Sequence, residues 1–223
     1  MELSFLKQTP LFRGIEESDL GNMLNCLQAT TASYEKDTRI YPCGEPIDCI
    51  GLVLSGSVLM EKNDHWGNRS IIGCATAGQI FGETYACIPD EPMLVEVVAA
   101  EKTEVLFCHV RRMLEVCSNS CVFHHTMIQN LLQITAQKNL ELSRRILYTS
   151  PKSIRGRLMT YLSDLVQQNG SDTVTVPFNR QQLADYLGVD RSALSNELSK
   201  MQKDGLLRYE KNTFYLPESD SYL

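Results

Sequence analysis

No stretch of the 223-residue sequence approaches the roughly 18 consecutive apolar residues of a membrane-spanning helix, so no membrane partner is expected. The opening Met1-Glu-Leu-Ser-Phe-Leu-Lys-Gln8 lacks the basic region and apolar run of a secretion signal, and a cytoplasmic location is expected. Cysteine is not scarce, but its usual patterns are. Eight cysteines stand at 26, 43, 49, 74, 87, 108, 117 and 121, and none forms a C-x-x-C pair. Disulfides are not expected in a cytoplasmic chain, so most of these thiols read as small buried hydrophobes. An iron–sulfur site or a thiol sensor is the lesser reading, because no tight group of ligands is visible. No His-x-His occurs and only His65 precedes His109, so no metal site is expected. An excess of positive charge is also missing: the net charge is −6. The acid lies in residues 1–149, with 12 basic and 18 acidic side chains, whereas residues 150–223 carry nine of each. A neutral module still binds nucleic acid through a locally basic face, with modest non-specific affinity. No repeat or low-complexity segment is present.

The informative stretch is residues 179–204. Asn179 with Gln182 three residues on makes a capping box, and Leu183, Tyr186 and Leu187 give a short helix one apolar face. Gly188 breaks that helix. Asp190 caps a second one, which buries Leu194, Leu198 and Met201. Its other sides carry Arg191, Ser192, Ser195, Asn196 and Ser199, with Lys200 and Lys203 further along. Such groups can read base edges in a major groove. An ordinary helical hairpin would share this pattern. The segment C-terminal to it is more specific. Gly205-Leu-Leu-Arg-Tyr, a turn at Glu210-Lys-Asn212 and Thr213-Phe-Tyr-Leu form a β-hairpin, which makes the whole a winged helix-turn-helix.

Upstream, residues 1–30 look helical, with Leu20, Met23, Leu24 and Leu27 at helical spacing. Between about 33 and 108 six short runs read as strands, beginning at Arg39, Cys49, Ser57, Ser70, Leu94 and Glu104. Glycines 44, 56, 67, 78 and 82 punctuate them, which indicates an antiparallel sandwich or barrel. Val110 to Glu115 reads as a short helix. Ser118-Asn-Ser120 then offers caps for a helix of about 28 residues, some 42 Å long. Ile128, Leu132, Thr135, Asn139, Leu142 and Ile146 recur on it in steps of four and three, the seam of a two-stranded coiled coil. Leu131, Ile134 and Leu140 lie off the seam and are expected to pack back on the β-domain. A buried core helix is the competing reading. Pro151 stops the helix and marks a hinge. The expected fold is α+β: residues 1–117 a β jelly-roll sensor domain, 118–149 a dimerisation helix and hinge, and 150–223 a winged helix-turn-helix domain.

In this order the parts resemble the cyclic-AMP receptor protein / Fnr (Crp/Fnr) superfamily of bacterial transcription regulators. The resemblance rests on Gly44-Glu45, Leu54-Ser-Gly-Ser-Val58, Gly78-Gln-Ile-Phe-Gly-Glu83, Ser150-Pro-Lys-Ser-Ile-Arg-Gly-Arg-Leu158, Arg180-Gln-Gln-Leu-Ala184 and Arg191-Ser-Ala-Leu-Ser-Asn-Glu-Leu198, and it covers nearly the whole chain. It implies a homodimeric regulator on palindromic double-stranded DNA, with RNA polymerase a partner if it activates. An effector in the jelly roll would shift the seam helices, given differential affinity for two states. Gly82 and Glu83 match the family's ribose-holding pair, and the implied pocket adds Thr84, Met93, Leu94 and Asn139. The phosphate-holding arginine does not carry over. Pro89-Asp-Glu-Pro-Met-Leu-Val-Glu96 has three carboxylates and no Arg or Lys, so cyclic AMP is not expected. Fnr-like iron–sulfur sensing needs an N-terminal cysteine cluster, and none precedes Cys26. Haem stays open, with His65, His109, His124 and His125 as candidate ligands, each read first as an ordinary histidine. In the recognition helix the family commonly has an arginine where Asn196 stands. Arginine favours guanine and asparagine favours adenine, so a changed half-site is expected. Asn179, Arg180 and Gln181 match positions that hold the phosphate backbone, and Lys200 is placed with them. Two other readings stand beside this one: a regulator whose vestigial sensor domain only dimerises, and a cupin-type barrel enzyme.

Overall fold

The computed structural model describes residues 2–63, 69–114 and 122–217. His65, Gly67, Glu115, Cys117, Cys121 and the expected caps at 118–120 lie outside the described residues. The chain divides into two compact units, Met1–Gln137 and Lys138–Leu223.

The first unit runs α1 (Leu3–Gln8), α2 (Glu17–Cys26), β1 (Thr30–Tyr34), β2 (Arg39–Tyr41), β3 (Cys49–Ser55), β4 (Ser57–Asn63), β5 (Arg69–Thr76), β6 (Ile80–Phe81), α3 (Glu83–Ala86), β7 (Glu96–Ala99), β8 (Thr103–His109), α4 (Val110–Leu114) and the start of α5 (Val122–Thr149). Two four-stranded sheets form, in the orders β1-β8-β3-β6 and β2-β7-β4-β5, and their paired strands are antiparallel. This is the expected β-roll. All six expected strands are present. β1 and β6 are additional. Thr30-Thr-Ala-Ser-Tyr34 has no apolar alternation, and it becomes a strand by pairing with β8 from Thr30↔Phe107 to Tyr34↔Thr103.

Strands β3 and β8 are buried on both faces. Ile50, Leu52, Leu106 and Cys108 join Leu6, Leu20, Met23, Leu27, Met127 and Leu131 in a core shared with the helices. Val53 and Val105 point the other way, into a core with Val58, Ala75, Phe81, Met93 and Val97. Two covered faces explain why Cys49-Ile-Gly-Leu-Val-Leu reads as a continuous apolar run. Gly51 sits where the Phe81 ring crosses the strand; a Cβ there would lie 2.2 Å from the ring. Tyr41 closes the same core edge-on to Phe81 and Phe107, with ring centroids 5.9 and 5.8 Å away.

Helix α5 has the expected 28 residues. Met127 and Leu131 are buried and Ile134 packs against the same core. Asn130 Nδ2 donates to the carbonyls of Leu11 and Arg13 at 3.0 and 2.8 Å. Leu140 departs from the sequence expectation: it is 46% exposed and not buried. It lies nine residues beyond Leu131, past the last residue of the first unit. The seam residues Leu132, Leu142 and Ile146 are exposed at 67%, 62% and 64%. Ile128 and Thr135 are half-buried and Asn139 is exposed.

The second unit adds α6 (Ile154–Asn169), β9 (Thr173–Thr175), α7 (Arg180–Leu187), α8 (Arg191–Lys203), β10 (Arg208–Glu210) and β11 (Thr213–Tyr215). Ser153 caps α6 by accepting from the Gly156 N–H at 3.0 Å. The strands form a sheet of order β10-β11-β9. Leu158, Leu162, Val174, Leu183, Leu187, Leu194, Leu198, Met201 and Phe214 fill a separate core. Tyr148, from the last turn of α5, belongs to it. It lies edge-on to Tyr161 at 5.1 Å and donates a short hydrogen bond to Asp164.

Candidate nucleic-acid interface

Local capping builds the two-helix reader. The Asn179 side chain accepts from the Gln182 N–H and the Gln182 side chain accepts from the Asn179 N–H, both at 2.9 Å, completing the capping box. Gly188 takes φ +63°, the left-handed conformation a glycine reaches at no steric cost, and reverses the chain into α8. Arg157 locks that reversal. Its guanidinium donates to the carbonyls of Leu187, Gly188 and Pro151 at 3.0, 2.9 and 2.9 Å. Arg155 ties α6 to α8 through Glu197 at 2.6 Å and Asp204 at 2.9 Å. Both arginines are positioning residues. The sequence marked them within a resembling stretch without assigning them a role.

Helix α8 starts at Asp190, whose Oδ1 accepts from the Ser192 hydroxyl at 2.5 Å and the Ala193 N–H at 2.9 Å. These bonds, the Ser192 hydroxyl first, hold its carboxyl below the usual range. Leu194, Leu198 and Met201 are fully buried, as expected. Arg191, Ser192, Asn196, Ser199 and Lys200 are exposed and Ser195 is half-buried. Residues 191, 192, 195, 196 and 199 share one face by helical spacing. The hydroxyls of Ser195 and Ser199 donate to the carbonyls four residues back, both at 3.0 Å. Their oxygens then serve as acceptors. The face combines a donor at Arg191, acceptors at the serines and both at Asn196, and Lys200 flanks it.

The wing is held to the reader by Arg180. Its guanidinium lies 5.1 Å from the Tyr209 ring centre and 5.9 Å from that of Phe214, and it donates to the Lys211 carbonyl at 3.3 Å. Burial lowers its pKa from the usual value. Gln181 is exposed and donates to Asp185 at 2.8 Å. Of the residues expected to hold the phosphate backbone, Asn179 and Arg180 also have these structural tasks.

In the first unit, Gly82 takes φ +78° as the cap of α3, Glu83 is buried and Thr84 is exposed. Met93 lies in the inter-sheet core and Leu94 is 59% exposed. Asn139 belongs to the second unit. The segment from Pro89 is pinned to residues 44–46: Pro92 bridges Pro46, Met93 N–H donates to Glu45 at 3.0 Å, and Gly44 N–H donates to Met93 at 2.8 Å. Asp90 and Glu91 are exposed there, whereas Glu96 pairs with Arg39 at 2.8 Å. A cavity of about 1020 Å³ is lined by Ile47, Asp48, Cys87, Asp90, His109, Arg112 and others. A second, of about 400 Å³, includes Tyr34, Tyr41, Glu45 and Cys49. Neither lining includes the six residues expected at the effector pocket.

Of the candidate haem ligands, His124 is buried on α5, His125 is exposed and His109 ends β8. His109 does have close partners. Its Nδ1 lies 3.2 Å from Cys49 Sγ and 3.3 Å from Asp48 Oδ2, and the Cys49 thiol donates to Asp48 Oδ1 at 3.3 Å. Burial, then the bond to Asp48, pushes the Cys49 thiol up to about 12, and burial does the same to Cys108. Protonated thiols are poor nucleophiles. Sequence reasoning missed this group because Cys49 and His109 stand 60 residues apart; only the β3–β8 register pairs them.

A two-sheet β-roll followed by a capped, winged helix-turn-helix defines a DNA-binding regulator with a cyclic-nucleotide-domain-like sensor. Residues 31–120 match the cyclic nucleotide-binding domain family and residues 156–218 match the Crp-like helix-turn-helix domain family. The chain belongs to the Crp/Fnr family of transcription regulators. It is 22% identical over 188 residues to the transcriptional activator protein FnrL of Cereibacter sphaeroides, covering 80% of this chain and 72% of that protein. It is 40% identical over 77 residues to a probable transcriptional regulator, flp, of Lacticaseibacillus casei, covering 34% and 35%. Among solved structures, CprK complexed with OCPA superposes with TM-score 0.63 at 16% identity, covering 87% of this chain and 88% of that one. The c-di-GMP-responsive global regulator CLP of Xanthomonas campestris gives 0.55 at 20%, covering 92% and 100%. FnrL, flp and CLP are regulators and not enzymes, so the cupin-type reading is set aside. Among the described residues no helix is long and apolar enough to cross a membrane.

Proposed function

We propose that the protein works in the cytoplasm as a homodimer that reads a palindromic site with α8, under an effector other than cyclic AMP. Residues 1–117 act as the sensor, 118–149 as the dimer seam and 150–223 as the DNA reader. The observation that carries the reading is the two-sided α8. Leu194, Leu198 and Met201 are fully buried, and the opposite face offers Arg191, Ser192, Ser195 and Asn196 to base edges. Asn179, Arg180, Gln181 and Lys200 flank that face and hold phosphates. Two such helices about 34 Å apart fit successive major grooves. RNA polymerase is a partner if the protein activates.

The acidic, arginine-free Pro89–Glu96 segment argues against a cyclic phosphate, since exposed Asp90 and Glu91 repel one. Proteins of this fold include a regulator responsive to c-di-GMP and a protein complexed with OCPA, so ligands other than cyclic AMP suit the fold. The same segment favours, as a second reading, a vestigial sensor that only dimerises. A thermal-shift screen of nucleotides, haem and metabolites separates the two; a true effector at a hundred times its Kd adds about 2.7 kcal/mol.

The test of the main reading is site selection followed by fluorescence anisotropy at several salt concentrations. Arg191→Ala should weaken the selected site by about 1–3 kcal/mol and relax one base position. Lys200→Ala should weaken all sequences alike and reduce the salt slope by about one. The selected half-site should differ from the family's usual one at the base facing Asn196, with adenine there. Selection of no sequence, or no effect of Arg191→Ala, would overturn the reading.

A further inference from the structure

Cys49 and His109 form the cross-strand pair that closes one end of the β3–β8 ladder, and Asp48 immediately precedes it. The three side chains converge, with contacts of 3.2 Å from Cys49 Sγ to His109 Nδ1, 3.3 Å from His109 Nδ1 to Asp48 Oδ2 and 3.3 Å from Cys49 Sγ to Asp48 Oδ1. One donor atom from each lies within 4.8 Å of the others. Ligands at about 2.0–2.3 Å from a tetrahedral zinc ion stand roughly 3.3–3.6 Å apart. Cys49 Sγ and His109 Nδ1 are already at that spacing, and a turn of the exposed Asp48 carboxylate, whose two oxygens each face one of them, brings a single oxygen to both.

The backbone under these donors is fixed. Tyr41 Oη donates to the Cys49 carbonyl at 2.9 Å, and the Val110 N–H donates to the Asp48 carbonyl at 3.0 Å. Preorganised donors of this kind reduce the ordering cost of binding. Access is one-sided. The Asp48 side chain is 81% exposed and that of His109 38%, while Cys49 is half-buried behind them. Asp48 and His109 also line the wall of the 1020 Å³ cavity, which leaves room for a fourth ligand.

We propose that Asp48, Cys49 and His109 bind one divalent d-block cation of the zinc class, with water or a small exogenous ligand in the fourth position. A thiolate, an imidazole and one carboxylate suit zinc or cobalt, whereas magnesium and calcium take oxygen donors. Binding forms the metal–sulfur bond as the Cys49 S–H bond breaks, and the proton goes to solvent. The proposal does not rest on DNA binding, and its test reads the metal directly.

The test titrates the full, reduced, chelator-treated chain with Co(II), then with Zn(II) in competition. One equivalent of Co(II) should produce a thiolate-to-cobalt charge-transfer absorption that Zn(II) abolishes. Cys49→Ala should remove that absorption. His109→Gln and Asp48→Asn should weaken binding by more than the roughly 10–100-fold that losing an outer-shell partner costs. Cys43→Ser and Cys87→Ser should leave it unchanged. Thermal melts establish that each variant is folded, and His109→Gln carries the test if Cys49→Ala does not fold. Absence of the absorption at one equivalent, or equal binding by wild type and His109→Gln, overturns the proposal.

Discussion

At Asp190 one carboxylate holds the start of the recognition helix, and its charge matters as well as its shape. Hydrogen bonds from Ser192 and Ala193 depress its folded pKa below the unfolded value of about 3.9. The stabilisation is therefore complete above that value and is lost as pH falls through the folded pKa. Asn also caps helices well but does not titrate. Melting temperatures of wild type and Asp190→Asn, measured from pH 6 to pH 2, should differ most at the upper end and converge on acidification. A gap that stays constant across the range would contradict this account. The caps at Asn179, Asp190 and Gly188 were legible in the sequence because each needs only its near neighbours. The packing roles of Arg155, Arg157 and Arg180 were not, because nearly all their partners lie 29 to 49 residues away, the Pro151 carbonyl under Arg157 being the local exception.

On the scale of the element, α5 carries a contrast along its length. Its early turns bury Met127 and Leu131, and its later turns expose Leu140, Leu142, Ile146 and Leu147. Of the exposed apolar residues, Leu132, Leu142 and Ile146 share one face and Leu140 and Leu147 lie off it, and we propose the first three as the interaction surface. In the proposed dimer the four-three spacing would meet a partner helix, and Asn139 would fix register. Leu142→Glu with Ile146→Glu places two carboxylates on that face. Light scattering after size exclusion should show a monomer, and anisotropy should show loss of palindromic-site binding while a single half-site still binds weakly. A dimer of unchanged mass would remove α5 as the seam. Periodicity located this helix to within a few residues. It did not say which apolar residues outside the seam reach the core: Leu131 and Ile134 do and Leu140 does not.

For the whole molecule, the two cores of the first unit share no residue with the core of the second, which argues for two folding units. Residues 138–223 should fold alone, because Tyr148, Tyr161, Phe214 and the helix-turn-helix leucines all lie in one cluster. Calorimetry of that fragment should show a single cooperative transition with an enthalpy of about 60 kcal/mol, the value for a domain of this size. A fragment that melts without cooperativity would show that the second unit's core depends on the first unit.

Near neighbours suffice to set the caps, the helical faces, the six apolar strands, the stop at Pro151 and the order of the parts, and all of these were legible in the amino-acid sequence. Those signals span a few residues and survive without knowledge of the rest of the chain. Register belongs to the tertiary structure. Pairing with β8 makes Thr30–Tyr34 a strand, and pairing of Cys49 with His109 brings a thiol, an imidazole and the Asp48 carboxylate together. Strand pairing joins residues far apart in the chain, and no local pattern records which residue will stand opposite which.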